Sequence, residues 1–276
     1  MRARLLAGSL AAALGLAIVA AGPASAADDA QLSVLHGVPG LTVDVYVNGK
    51  LTLDDFKPGK LAGPLPLAAG TYTVAITTSD AKDDSDPAIG PVDLTLAAGK
   101  SYTAVAHLDA DGKPTATLFT NDTSTTKAGE GRLTVRHVAA APGVDVLAGT
   151  DAVITNLENP DEKVLDLPAG TVSASVVATG TTEPALLGPA DVKVVEGTST
   201  ILYAWGDATA DPSTLALATQ VIDGLHGNPS GVQAGQVGLV NDDGGTPAWP
   251  YALGVLAALG VAGLAIASRR RAGADR

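Results

Sequence analysis

The sequence predicts an all-β protein of two tandem β-sandwich domains, bracketed by a signal peptide and a C-terminal transmembrane helix. Three observations carry this reading. The pattern Val34-Leu35-His36 followed by Val43-Asp44-Val45 recurs as Val135-Arg136-His137 followed by Val144-Asp145-Val146, with both pieces displaced by 101 residues. A spacing kept over two separated pieces indicates two copies of one domain of about a hundred residues. From Leu32 onward, short alternating runs of apolar and polar residues are broken by Gly, Pro and Asp, as half-buried strands and their turns are. Finally, each end of the chain carries a long uncharged run flanked by arginine.

The elements follow in order. Met1-Arg2-Ala3-Arg4, the apolar run Leu5 to Ala21 and the small-residue box Ala24-Ser25-Ala26 form a secretory signal peptide over 1–26. Repeat 1 is expected over 27–122. Thr42 to Val47 has a period of two, and Asn48-Gly49 after it is the strongest short hairpin signal, with Lys50 to Leu53 as the return strand. Leu65 to Gly70 leads into Thr71 to Ile76, and Val92 to Leu96, Ser101 to His107 and Thr115 to Phe119 complete the copy. A Thr- and Gly-rich linker over 123–131 precedes repeat 2, expected over 132–223. There Leu165 to Thr171 answers Leu65 to Thr71, and Gly188-Pro189-Ala190-Asp191 answers Gly90-Pro91-Val92-Asp93. The displacement changes only between strands, as loop insertions and deletions produce. About seven short strands per hundred residues indicate a sandwich.

Residues 224–248 are Gly-rich and read as a flexible stalk. Trp249 to Ala267 is a run of 19 uncharged residues followed by Arg269-Arg270-Arg271. As a helix of about 1.5 Å per residue it spans roughly 28 Å, close to a bilayer core, and the arginines keep the 268–276 tail in the cytoplasm. The layout resembles the tail of a sortase-anchored wall protein, but no Leu-Pro-x-Thr-Gly motif is present, which favours retention in the membrane.

The chain has no cysteine, an aromatic fraction of 3% and a net charge of −12. Without the two ends, 11 basic and 28 acidic residues remain, giving −17. Such a surface excludes nucleic acid as a partner, and no disulfide braces the fold. A core of Val, Leu, Ile and Ala favours small, thin domains.

His36 with Asp44, and His137 with Asp145, are the ionisable pairs present in both copies and form the candidate binding site. If a hairpin joins their strands, each His lies nearly opposite its Asp. The Asp then orients the His and ties strand one to strand two, or the pair serves as an acid/base or ligand site. The acidic runs Asp80 to Pro87 and Asp109-Ala110-Asp111-Gly112 suggest a hard cation, with Asp109 and Asp111 as metal candidates, although Asp and Gly are also ordinary turn formers. No nucleophile elbow, zinc-helix motif or phosphate loop is present, so no enzymatic activity and no cofactor are implied.

A strand ending in His, a loop containing Pro in both copies, then Val-Asp-Val-Tyr, followed by a Leu-Pro-x-Gly-Thr-Tyr-x-Val pattern that survives in part as Gly70-Thr71-Tyr72-Thr73-Val74 and as Leu167-Pro168-Ala169-Gly170-Thr171, resembles a bacterial extracytoplasmic family known only as a domain of unknown function. The likeness covers about Leu32 to Thr219. It implies immunoglobulin- or transthyretin-like sandwiches, often in tandem behind a signal peptide, at a surface location and without an assigned activity. This chain departs from the pattern: Ser-Pro after the His is missing in both copies, and Tyr46 becomes Leu147 in the second. The expectation is a non-enzymatic protein of the cell membrane, single-pass, with its N-terminal region outside. It would present two modules to a protein or envelope-polymer partner. The alternative is a ligand- or cation-binding sensor using the His–Asp pairs or the acidic loops.

Overall fold

Sixteen strands and no helix make up residues 28–226, the part of the chain that the structure, a computed structural model, describes. The expected signal peptide, most of the stalk, the transmembrane segment and the basic tail lie outside the described residues. Within these residues no helix is long and apolar enough to cross a membrane.

Repeat 1 supplies β1 (Ala30–His36), β2 (Val43–Val47), β3 (Lys50–Phe56), β4 (Leu61–Leu67), β5 (Gly70–Thr78), β6 (Ile89–Leu96), β7 (Ser101–Leu108) and β8 (Pro114–Asn121). Repeat 2 supplies β9 (Glu130–Ala140), β10 (Val144–Ala148), β11 (Asp151–Leu157), β12 (Glu162–Pro168), β13 (Gly170–Ala178), β14 (Ala185–Val194), β15 (Ser199–Asp207) and β16 (Ala216–Ile222). Each repeat is two four-stranded sheets. A back sheet runs β4-β1-β7-β8 and a front sheet β3-β2-β5-β6, and the second copy repeats both orders as β12-β9-β15-β16 and β11-β10-β13-β14. In both back sheets the first and seventh strands of the repeat pair in parallel.

Valine spacing explains the sandwich. Val43, Val45, Val74 and Ile76 point from the front sheet onto Ala106 and Leu108 of the back sheet, and Val144, Val146 and Val176 do the same against Leu133, Val135 and Leu202. The hairpin at Asn48-Gly49 forms as expected, with φ of 51° and 74°, the left-handed pair that a two-residue turn requires. The duplicated Gly-Pro pairs also gain a reason. Gly90 and Gly188 sit at register shifts with φ of 96° and 91°, where a Cβ would stand 2.7 Å from Val74 O and 2.6 Å from Ala174 O. β4, where no strand is expected from the sequence, holds Pro64 and Pro66. It lies at a sheet edge, where a missing N–H is tolerated.

The central strands of the back sheets are buried on both faces. β9 has no exposed residue along its whole length, and β1 and β7 are nearly as enclosed. One face of each covers its own front sheet, and the other faces the other repeat. Leu35, Val105 and Phe119 of repeat 1 form one apolar cluster with Val138, Ile201 and Tyr203 of repeat 2. The layers therefore run front, back, back, front, and both repeats fall in one compact unit. The linker is pinned too: Thr126 N donates to Leu225 O at 2.9 Å, and Leu225 N donates to Gly197 O at 2.8 Å. Leu225 is buried, so Gly224 to His226, assigned from sequence to the start of the stalk, belong to the folded body.

Candidate functional site

The expected His–Asp pairing does not form. β1 and β2 lie in different sheets, as do β9 and β10, so His36 is not opposite Asp44, nor His137 opposite Asp145. The chain between them is a crossover from back sheet to front sheet, and the hairpin geometry assumed from sequence is absent. Each residue instead fastens backbone. His36 Nε2 donates to Leu41 O at 2.7 Å and His137 Nε2 to Pro142 O at 3.1 Å, each five residues ahead, closing the crossover. Asp44 Oδ1 accepts from Asp55 N at 2.9 Å and Asp145 Oδ1 from Asn156 N at 2.8 Å, each eleven residues ahead, holding the bulge of the next strand.

Both histidines are buried, and burial lowers their pKa, with the hydrogen bonds to Leu41 O and Pro142 O opposing only in part. His107, on β7, is likewise buried and lowered; its ring nitrogens meet Leu108 O and Thr117 Oγ1, both at 2.9 Å. All three rings are enclosed, and burial favours their neutral form. Asp145 is held below the ordinary carboxylate range by the N–H groups of Asn156 and Gly180.

Asp109 and Asp111 lie in the β7–β8 turn. Asp109 Oδ1 accepts from Asp111 N at 2.9 Å and Lys113 N at 2.8 Å, and Asp111 stands 3.9 Å from the Lys113 ammonium in full solvent. The structure thus gives these metal candidates a turn's work and gathers no further carboxylate around them. Among the described residues, the carboxylates that converge are those of Asp44, Asp54 and Asp55.

Between the repeats lies a buried polar network that sequence reasoning did not find. Arg136, on β9, is almost wholly enclosed. Its Nε donates to Glu162 Oε2 at 2.7 Å, its Nη1 to the Tyr203 hydroxyl at 2.8 Å and its Nη2 to Asn121 Oδ1 of repeat 1 at 3.0 Å. The guanidinium carbon stands 4.3 Å from the centroid of the Phe119 ring. The Tyr203 hydroxyl, whose pKa burial raises, donates to Gln220 Oε1 at 2.6 Å. Gln220 accepts again from Thr103 Oγ1 at 3.0 Å and donates to Ser33 Oγ at 3.2 Å. Every step crosses or supports the seam, and a satisfied network of this kind fixes one docking geometry. At the far end of the seam, Asn159 Nδ2 donates to Leu108 O at 2.8 Å and to Ala139 O at 2.6 Å.

An open groove of ≈ 650 Å³ runs along one margin of the seam. Leu61 and Pro64 form one wall, Val221 and Ile222 the other, and Ser33 and Gln220 the floor. These two groups are bonded to each other, while Asp28, Asp29, Lys100 and Asp223 bring charge to the rest of the lining. The sequence concealed the seam for a simple reason: Arg132, Thr134 and Arg136 alternate with Leu133 and Val135, and that pattern reads as a solvent face.

No curated protein matches the chain. Residues 30–147 match the family model described as Domain of unknown function (DUF4397), a stretch that holds all of repeat 1 and extends through the His137 and Asp145 motif of repeat 2. The likeness drawn from Val-Asp-Val-Tyr and its surroundings is thus to a family with a model of its own, which residues 30–147 match.

Proposed function

We propose that this protein is a non-enzymatic surface element that holds two fused sandwiches as one stiff body outside a bacterial membrane, presenting its front sheets and loops to a protein or envelope-polymer partner. The single observation that supports this best is the seam itself. Two modules joined by a loose linker would sample many relative orientations, whereas the Arg136–Asn121 and Gln220–Ser33 bonds select one. The histidines that a catalytic reading would recruit, His36 and His137, are committed to backbone carbonyls. Export by residues 1–26 and anchoring by 249–267 complete the reading, with the 268–276 tail in the cytoplasm.

The test is fractionation and protease shaving of cells that express the full chain with an epitope inserted at the exposed Gly112 turn. The expected result is a membrane-bound product that loses the epitope to external protease. A product found only in the culture medium or only in the cytoplasm would contradict the proposal.

A further inference from the structure

The two repeats carry the same buried aspartate in different surroundings, and the difference bears on a ligand. In repeat 2 both oxygens of Asp145 are satisfied by main-chain N–H groups, Asn156 N on Oδ1 and Gly180 N on Oδ2 at 2.9 Å. The residue across from it on β13 is the fully buried Val177. In repeat 1, Asp44 is equally buried and receives one N–H, from Asp55, and among the described residues its other oxygen takes part in no hydrogen bond or ion pair.

Where repeat 2 has Thr155 and Asn156, repeat 1 has Asp54 and Asp55, whose carboxylate oxygens lie within 4.8 Å of that of Asp44 and of each other. Where repeat 2 has Val177, repeat 1 has Thr77, the register partner of Asp44, projecting from the same face of the front sheet. Thr77 is wholly buried, and its hydroxyl has no hydrogen-bond partner. A valine-sized position that carries an unpaired buried hydroxyl is unfavourable unless something else uses the oxygen. The loop after β5 folds back over this face. Ser79 N bonds Thr42 O, and Asp84 Oδ2 comes within 3.8 Å of where a Cβ on Gly49 would stand.

We infer that Asp44, Asp54 and Asp55, with the Thr77 hydroxyl on the same face of the sheet, form a divalent-cation site of the calcium type in repeat 1 that repeat 2 lacks. The chemistry fits. Calcium takes oxygen ligands at about 2.3–2.6 Å, so two ligands of one ion lie at most roughly 5 Å apart, and it accepts hydroxyl and water beside carboxylates. With Asp54 and Asp55 exposed, water completes the coordination. The site does not depend on how the chain is anchored.

The test is calorimetric titration of the full chain in detergent with Ca²⁺, repeated on two double variants, one at the exposed Asp54 and Asp55 and one in the β7–β8 turn. One saturable site is expected, with a dissociation constant on the order of 10⁻⁴–10⁻³ M, the range of extracellular modules. The Asp54→Asn/Asp55→Asn variant should bind at least tenfold more weakly. Asp109→Asn/Asp111→Asn should bind as the native chain does. Thr77→Val, which copies repeat 2, should melt higher than the native chain in chelator yet bind Ca²⁺ several-fold more weakly. Uptake that never saturates, or equal binding by the Asp54→Asn/Asp55→Asn variant, overturns the assignment.

Discussion

Arg136 of the second repeat donates to Asn121 Oδ1 of the first at 3.0 Å, so a side chain that the alternation of β9 would place in water instead crosses between two domains. The guanidinium is satisfied by Glu162, Tyr203 and Asn121 together, which makes its burial tolerable.

Removing that group should therefore cost far more than removing its counter-charge. Arg136→Ala removes three hydrogen bonds at a closed seam and leaves a cavity where the enclosed side chain stood, and it is expected to destabilise by about 3–5 kcal/mol. Glu162→Gln keeps an acceptor for Nε but takes the counter-charge from an enclosed guanidinium, and should cost about 1–2 kcal/mol, less than Arg136→Ala because the Glu162 side chain is 32% exposed and water can approach it. Urea denaturation of the full chain in detergent measures both. Equal losses in the two variants would show that the ion pair, and not the seam network, carries the energy.

Acid should loosen the fold through its histidines. His36, His107 and His137 are held neutral by burial, so their folded pKa values lie below the ordinary 6.5. Between that value and the folded ones the unfolded chain binds more protons, so the stabilisation is complete above about pH 6.5 and declines as pH falls below it. Burial is the main cause of the lowering at His107, and His107→Gln should flatten the decline. Melting temperature recorded from pH 7.5 to 5 reports this; a native chain as stable at pH 5 as at pH 7.5 would contradict it.

The two bulge glycines should behave alike. Gly90→Ala and Gly188→Ala each force a Cβ against a carbonyl, at 2.7 and 2.6 Å, in a backbone region that disfavours side chains. Each is expected to cost roughly 1–3 kcal/mol, whereas Gly70→Ala, with open space around its Cβ, should cost far less. Thermal melts of the three variants, compared side by side, check this.

Much of the fold was legible because period-two valines, the Asn48-Gly49 turn and the 101-residue displacement are local or repeated signals. What was not legible depended on which face meets which. The His36–Asp44 spacing fits a hairpin as well as a crossover between sheets, and only the sheet assignment separates them. Arg132, Thr134 and Arg136 form a polar face in either case, and alternation cannot tell water from a partner domain. Asp44 was found as a residue but not with its companions, since Asp54 and Asp55 approach it through a bulge that shifts the register between β2 and β3.

The central claim is that the two repeats form one body through their back sheets. Scanning calorimetry of the full chain in detergent tests it most directly by comparing the calorimetric with the van 't Hoff enthalpy of unfolding. A ratio near one for the native chain, rising toward about two in Arg136→Ala as the repeats unfold separately, is the expected result. A native chain that already unfolds in two independent steps would contradict the account.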